Sequence, residues 1–256
     1  MIEIHNLTKN FGDFEAVSDL SLTVPAGELF CFLGPNGAGK TTTIKVLTGL
    51  LRPSSGQVKI CGLDIQTDPQ AVKKMIGYIP DMPFLYERLT AAEFFHFTAD
   101  LYNVPLTNVM DLCDESFELF GIIDHRNALV KDLSHGMRQR LIYSTTFLHN
   151  PRVLFIDEPL VGLDPYSIRL IKDLLKKKAR EGMTIFLTTH ILAVAEDIAD
   201  RIGIISNGRL IALSTLPELL STNKGCSNLE DLFLKLTAKA GSTAYDVSET
   251  NCSNNM

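Results

Sequence analysis

Long apolar runs are what this 256-residue chain most plainly lacks. No stretch reaches the roughly 18–20 residues that a bilayer-spanning helix needs; candidates such as Leu29–Leu33 and Val153–Ile156 are strand-sized. No basic stretch followed by an apolar one opens the chain, so no signal peptide is expected and the protein is expected to stay in the cytoplasm. Cysteines are few: Cys31, Cys61, Cys113, Cys226 and Cys252 show no paired spacing, which excludes a small disulfide scaffold and fits a reducing compartment. Basic residues are outnumbered, 24 Lys and Arg against 30 Asp and Glu, for a net charge of −6. Sequence-independent grip on nucleic acid relies on Lys and Arg neutralising phosphates, so no nucleic-acid partner is expected. A local phosphate site built from backbone amides stays open. What is present is ordinary globular composition, 45% hydrophobic and 21% charged, with enough apolar mass for a sizeable core.

Strand and helix signals alternate along the chain. Leu29–Leu33, Ile76–Ile79, Val153–Asp157 and Thr184–Thr188 read as short buried strands, and Thr41–Leu50, Tyr166–Arg180 and Ile191–Ala199 as helices with apolar residues at spacings of three and four. Ile202–Ser206 and Arg209–Leu213 flank Asn207-Gly208, a hairpin signal because both turn residues tolerate positive φ. The alternation predicts an α/β fold with a largely parallel central sheet. Residues 83 to 150 read as a helical insertion. Within it, Thr90 and Glu93 form a capping box with Leu89 and Phe94 placed for a hydrophobic staple, and Ser134 is a good N-cap for a helix over His135–Leu148. Leu229–Leu236 reads as a short final helix, and the polar residues from Lys239 to Met256 as a disordered tail.

The chemistry concentrates in two segments. Gly34-Pro35-Asn36-Gly37-Ala38-Gly39-Lys40-Thr41 satisfies GxxxxGK[ST] between an apolar strand and a helix. Glycines let successive N–H groups turn inward around an anion, and the following helix adds its positive end. Lys40 can reach β- and γ-phosphates, and the Thr41 hydroxyl can ligate Mg²⁺. The alternative is a Gly-rich turn with a chance Lys. The second segment, Val153–Pro159, is an apolar strand ending in Asp157 and Glu158, acids that need a positive partner if buried. Asp157 suits a Mg²⁺ shell. Glu158 suits orienting or deprotonating a water that attacks a γ-phosphate. His190 ends a further strand, and a parallel sheet would bring it to the same edge as Lys40 and Asp157. There it can donate to the γ-phosphate, or serve as an ordinary strand-end residue.

In combination these residues resemble the ATP-binding subunit of ABC transporters over about residues 1 to 237. Gly34–Thr42 matches the Walker A motif, Leu154–Glu158 the Walker B motif with the catalytic glutamate, and Leu133-Ser134-His135-Gly136-Met137 stands at the LSGGQ signature. Gly162-Leu163-Asp164 resembles the D-loop and His190 the switch histidine. Phe11 lies where the family places an aromatic that stacks on adenine, although a core Phe is the other reading of that position. The resemblance implies a P-loop NTPase core of mainly parallel sheet, an N-terminal antiparallel β part and an inserted helical subdomain. It implies ATP and Mg²⁺ as ligands, with Glu158, His190 and Lys40 catalytic. Phe11, Gly34–Thr42, Ser134 and Gly136 are assigned to the nucleotide, and Thr41, Asp81 and Asp157 to the metal.

Two departures from the pattern stand out. His135 and Met137 replace a Gly and the Gln of the signature, and Asp81 stands at the Q-loop Gln. In the family the signature closes over ATP held by a second subunit, so a head-to-tail dimer, as homodimer or with a paralogue, and a separate transmembrane permease are implied, with export the expected direction. Contact with the permease is expected around Asp81 and Leu85–Tyr102, where Phe94, Phe95, Phe97 and Leu101 are also candidates for plain subdomain core. The rival readings are a soluble ATPase of the same type, a phosphate-loop kinase or GTPase, and a regulatory nucleotide-binding module. Asn223-Lys224-Gly225-Cys226 lacks the Asp of a guanine reader, and Glu158 argues against a module that only binds.

Overall fold

The computed structural model describes residues 1–105, 109–158, 160, 163–223 and 225–238. Two sheets organise it. A four-stranded antiparallel sheet has the order β2-β1-β4-β5, from β1 (Ile2–Phe11), β2 (Phe14–Val24), β4 (Ser55–Ile60) and β5 (Leu63–Asp64). A six-stranded sheet has the order β10-β9-β3-β8-β7-β6, from β3 (Leu29–Leu33), β6 (Ile76–Ile79), β7 (Val153–Asp157), β8 (Thr184–Thr189), β9 (Arg201–Ser206) and β10 (Arg209–Ser214). Its neighbours pair in parallel except β9 and β10, which form the antiparallel hairpin expected at Asn207-Gly208.

The continuous apolar runs of the inner strands follow from burial on both faces. Along β3, Leu29, Cys31 and Leu33 face one apolar cluster while Phe30 and Phe32 face another. Strand β7 divides in the same way, with Leu154 and Ile156 against Val153 and Phe155, and so does β8, with Ile185 and Leu187 against Phe186. On the second face Phe186 lies 5.2 Å from Phe30 and 5.4 Å from Phe32 between ring centroids. The antiparallel sheet and α1 (Lys40–Leu47) cover that side.

The opposite face is covered by α6 (Pro165–Arg180), α7 (Leu192–Ile198) and the helices inserted between β6 and β7. The insertion holds α3 (Ala91–Leu101), α4 (Val109–Leu119) and α5 (His135–Thr146). Its entry signals form as the sequence suggests: Thr90 and Glu93 make the reciprocal capping box, and the Ser134 side chain caps α5 by accepting from the Met137 amide. Two further helices, α2 (Pro69–Met75) and α8 (Leu216–Thr222), are peripheral, and residues 229–238 are helical.

Two helices end earlier than their apolar spacing predicts. α1 stops at Leu47, short of Leu50, because Gly49 takes a φ of 70°, which ends the right-handed helix. α5 stops at Thr146, short of Leu148, with Asn150 at a φ of 50° two residues on. The expected polar tail from Lys239 onward and Gly162 of the D-loop match lie outside the described residues.

Candidate active site

The register of the parallel sheet sets the site. Leu33 pairs with Thr189, Asp157 with Thr188, and Ile79 with Ile156, so four strands end together and release Gly34, Asp81, Glu158 and His190 at one carboxyl edge. Ligands of open α/β sheets bind at such an edge. Here it forms a cleft of about 490 Å³ lined by Phe14, Ala16, residues 36–42, Asp81, Glu158 and His190.

The loop from Gly34 to Gly39 is shaped by contacts that only glycine permits. A Cβ on Gly34 would lie 2.5 Å from the Ile205 carbonyl oxygen, and one on Gly39 would lie 2.5 Å from that of Ala16. Gly39 also has a φ of 107°, and α1 starts directly after it without a side-chain cap. The loop therefore presents the helix's open amides to the cleft, an arrangement that attracts anions.

Lys40 is the first residue of α1 and nine-tenths buried. Its ammonium donates to the carbonyls of Gly34 at 2.7 Å and Pro35 at 3.2 Å, and Nζ lies 4.0 Å from Glu158 Oε1. Burial pushes the Lys40 pKa down, and the charges of Glu158 and Asp157 oppose this. A buried cation with mobile donors and anionic neighbours is ready to exchange carbonyl partners for phosphate oxygens.

The two strand-end acids have different surroundings. Asp157 is buried and accepts from Thr188 Oγ1 at 2.6 Å. Glu158 has a φ of 52°, a left-handed conformation that costs an L-residue about 1–2 kcal/mol. Its amide donates to the Thr188 carbonyl at 3.1 Å, and its carboxylate turns to the next strand end. There Glu158 Oε2 accepts from the His190 amide at 3.3 Å and lies 2.8 Å from His190 Nδ1. Strain of this kind at a cleft is typical of residues held for chemistry.

Among the described residues no group of three or more His, Cys, Asp or Glu side chains is assembled for a metal ion. The oxygens at the cleft, those of Thr41, Asp81 and the adjacent Asp157, are hard donors too few for a protein-only cage. That set suits a small hard cation that keeps water and substrate phosphates in its shell, as Mg²⁺ does.

Six of the expected residues are not among those lining the cleft: Gly34 and Pro35 at the start of the loop, Asp157 at the end of β7, and Phe11, Ser134 and Gly136. Phe11 pairs across the β1–β2 turn with Phe14, carries the Lys9 ammonium 5.0 Å over its ring, and leaves Phe14 as the aromatic on the cleft wall. Ser134 is engaged in capping α5. The sequence also gives no sign of the part played by Gly208. Its amide donates to the Ala38 carbonyl at 3.0 Å, and its carbonyl accepts from the Ser18 amide at 2.8 Å. The hairpin turn so pins the loop to β2. The Asn207-Gly208 signal marks the turn; only the tertiary fold brings it against the loop.

The comparisons with known proteins agree with this geometry. The sequence pattern of the ABC transporter family matches residues 17–161. The chain is 42% identical over 220 residues to the uncharacterized ABC transporter ATP-binding protein YhcH of Bacillus subtilis, covering 85% of this chain and 71% of that one. It is 37% identical over 225 residues to the bacitracin transport ATP-binding protein BcrA of Bacillus licheniformis, covering 88% and 72%. Among solved structures, an ATP-binding subunit of an ABC transporter superposes with a TM-score of 0.87 at 31% identity, over 93% of this chain and 99% of that one. A dimeric bacterial ABC transporter cassette superposes with a TM-score of 0.77 at 25% identity, over 84% and 99%. The strand-loop-helix cleft, the acids at the neighbouring strand end and these likenesses place the chain in the ABC transporter family, as an ATP-binding subunit that hydrolyses ATP for transport.

Proposed function

We propose that ATP lies along this cleft with its triphosphate on the loop of Gly34, Pro35, Asn36, Gly37, Ala38 and Gly39, held by main-chain N–H groups of every residue but Pro35, which has none, and its base toward the aromatic end of the β1–β2 hairpin, at Phe11 and Phe14. Lys40 leaves the Gly34 and Pro35 carbonyls for the β- and γ-phosphate oxygens, and Thr42 borders the same phosphates. Thr41 and Asp157 would hold Mg²⁺, with Asp81 as a third oxygen donor. The ion would supply charge neutralisation at the phosphates. Glu158 orients the attacking water and takes its proton. His190 fixes the Glu158 carboxylate through its amide and ring, and its remaining ring nitrogen is available to the γ-phosphate.

ABC cassettes dimerise and pair with a permease. The partner copy supplies Ser134 and Gly136, whose helix start closes over the γ-phosphate; His135 and Met137 alter that surface. The loop beyond β6 is proposed to meet the permease, because Met82 and Phe84 there are 85% and 88% exposed, a strong apolar display for a solvent-facing loop. No helix of the described residues is long and apolar enough to cross a membrane, so the transport path is assigned to another chain and this one to the inner face of the membrane. Export is the proposed direction, on the likeness to the bacitracin transport protein.

The observation that carries this reading is the convergence of Lys40, Glu158 and His190 on one cleft. Calorimetry of the purified chain with Mg-ATP tests it, together with pull-down from membranes in mild detergent. Saturable binding and co-purification of a multi-spanning protein are expected. Absence of any heat at millimolar nucleotide overturns it.

A further inference from the structure

Helix α5 starts at the Ser134 cap, and three consecutive side chains near its start reach three different segments. Successive residues of a helix project about 100° apart, so each side chain serves a separate neighbour. Arg138 Nε donates to the carbonyls of Val130 and Leu133, both at 3.1 Å, and its Nη2 to that of Lys131 at 2.7 Å. It holds the helix start to its own insertion. Gln139, almost fully buried, donates from Nε2 to the Asp81 carbonyl at 3.3 Å, reaching the loop beyond β6. Arg140 crosses to the core: its Nη2 donates to Asp164 Oδ2 and to Ser167 Oγ, both at 2.6 Å.

Asp164 is the N-cap of α6 and takes the Ser167 amide at 3.0 Å on its other oxygen. It follows Glu158 by six residues in the sequence. The Arg140 contact is a poor source of stability. Half-exposed ion pairs contribute little to stability, and Arg140 Nε is buried with no partner among the described residues, an unmatched donor that works against the fold. What the contact does fix is the position of α5 relative to α6.

We propose that Arg140 is a positioning residue that couples the helix start at Ser134 to the segment carrying Asp157 and Glu158, through the carboxylate of Asp164. A shift of that segment on nucleotide binding is carried to the surface that meets the partner copy's ATP. This rests on the ATPase reading above and adds to it how the cleft and the opposite surface of one copy move together. Asp164 has the charge this needs, because hydrogen bonds from Ser167, and then Arg140, hold its carboxyl well below the usual carboxylate range.

The test uses the full chain with Arg140→Gln, Arg140→Lys and Asp164→Asn. Affinity of the single cleft for Mg-ATP is expected to stay within about twofold, since Arg140 does not line it. The kcat is expected to fall tenfold or more in Arg140→Gln with KM little changed, and to return in part in Arg140→Lys. The double change Arg140→Gln with Asp164→Asn should be no worse than either single change, in turnover and in denaturant unfolding. A wild-type kcat in Arg140→Gln overturns the coupling, as do losses that add across the pair in unfolding, which is read without any nucleotide. Failure of the wild-type chain to bind Mg-ATP overturns the functional reading instead.

Discussion

The Glu158 carboxylate and the His190 ring meet at 2.8 Å across two adjacent strand ends, and Glu158 reaches that position only by taking a φ of 52°. The parallel pairing of β7 and β8 brings the backbones together, and the left-handed residue then turns its side chain sideways to the histidine.

Exchange of that carboxylate for an amide removes the proton acceptor and keeps the shape. Glu158→Gln is expected to bind Mg-ATP as the wild type does, to lose at least about 100-fold in turnover, the usual worth of a general base, and to accumulate a nucleotide-bound dimer. Phosphate release and size-exclusion chromatography read the two effects. Hydrolysis at the wild-type rate would remove Glu158 from the mechanism.

Lys40 separates binding from stability. Burial lowers its pKa below the ordinary lysine value. Between that lowered value and about 10.4 the unfolded chain binds the extra proton, so this group's contribution to stability rises with pH in that window. Where the ammonium is charged in both states, its burial is a standing penalty. Lys40→Met is therefore expected to abolish ATP binding while the melting temperature, measured without nucleotide, does not fall. Retained ATP affinity would refute the phosphate-loop assignment.

The sheet edge was legible because it is built from local signals. Leu29–Leu33, Ile76–Ile79 and Val153–Asp157 are strands with those same limits, since each is an apolar run buried on both faces and stopped by Gly34, Pro80 or the acids. The antiparallel sheet was hidden from residue patterns and reached only through the family resemblance. In β1 the pairing slips between Ile4 and Leu7, Leu7 and Lys9, and Lys9 and Asn10, and each slip breaks the alternation that marks a half-buried strand. Of the candidates, residues 36–42 of the loop and Asp81, Glu158 and His190 beyond the strand ends line the cleft. Phe14 and the Gly208 clamp depend on contacts between segments far apart in sequence, which no local spacing encodes.

The aromatic end of the β1–β2 hairpin gives a third expectation. Base–aromatic stacking is worth about 1–3 kcal/mol, so Phe11→Ala and Phe14→Ala should each weaken ATP and leave inorganic triphosphate binding unchanged. Competition against a fluorescent nucleotide distinguishes the two ligands. Equal losses for ATP and triphosphate would show damage to the loop rather than loss of a stacking surface.

Tyr143 carries a fourth. Its ring is fully buried against Phe120, and its hydroxyl has no hydrogen-bond partner among the described residues. Tyr143→Phe removes a desolvated donor worth about 1–3 kcal/mol when unmatched, and the melting temperature is expected to rise by about 2–4 °C for each kcal/mol recovered in a chain of this size. A clear fall would mean that the hydroxyl is satisfied in solution.

Asp164 predicts the acid limb of stability. Its carboxyl is held below the ordinary range by Ser167 and Arg140. The stabilisation is complete above about pH 3.9, the unperturbed value, and is lost as pH falls toward the folded-state pKa. Melting curves of Asp164→Asn between pH 5 and 3 should show a shallower acid slope than the wild type; parallel curves would dismiss the assignment.

The Gly208 clamp also bears on how the protein is made. The loop that meets the triphosphate lies in the first fifth of the chain, yet the amide that fixes Ala38 comes from residue 208. During translation, residues 34–41 leave the ribosome long before their support exists. Nucleotide capture is therefore among the last competences the nascent chain acquires, and until then the loop is an unsupported, glycine-rich segment.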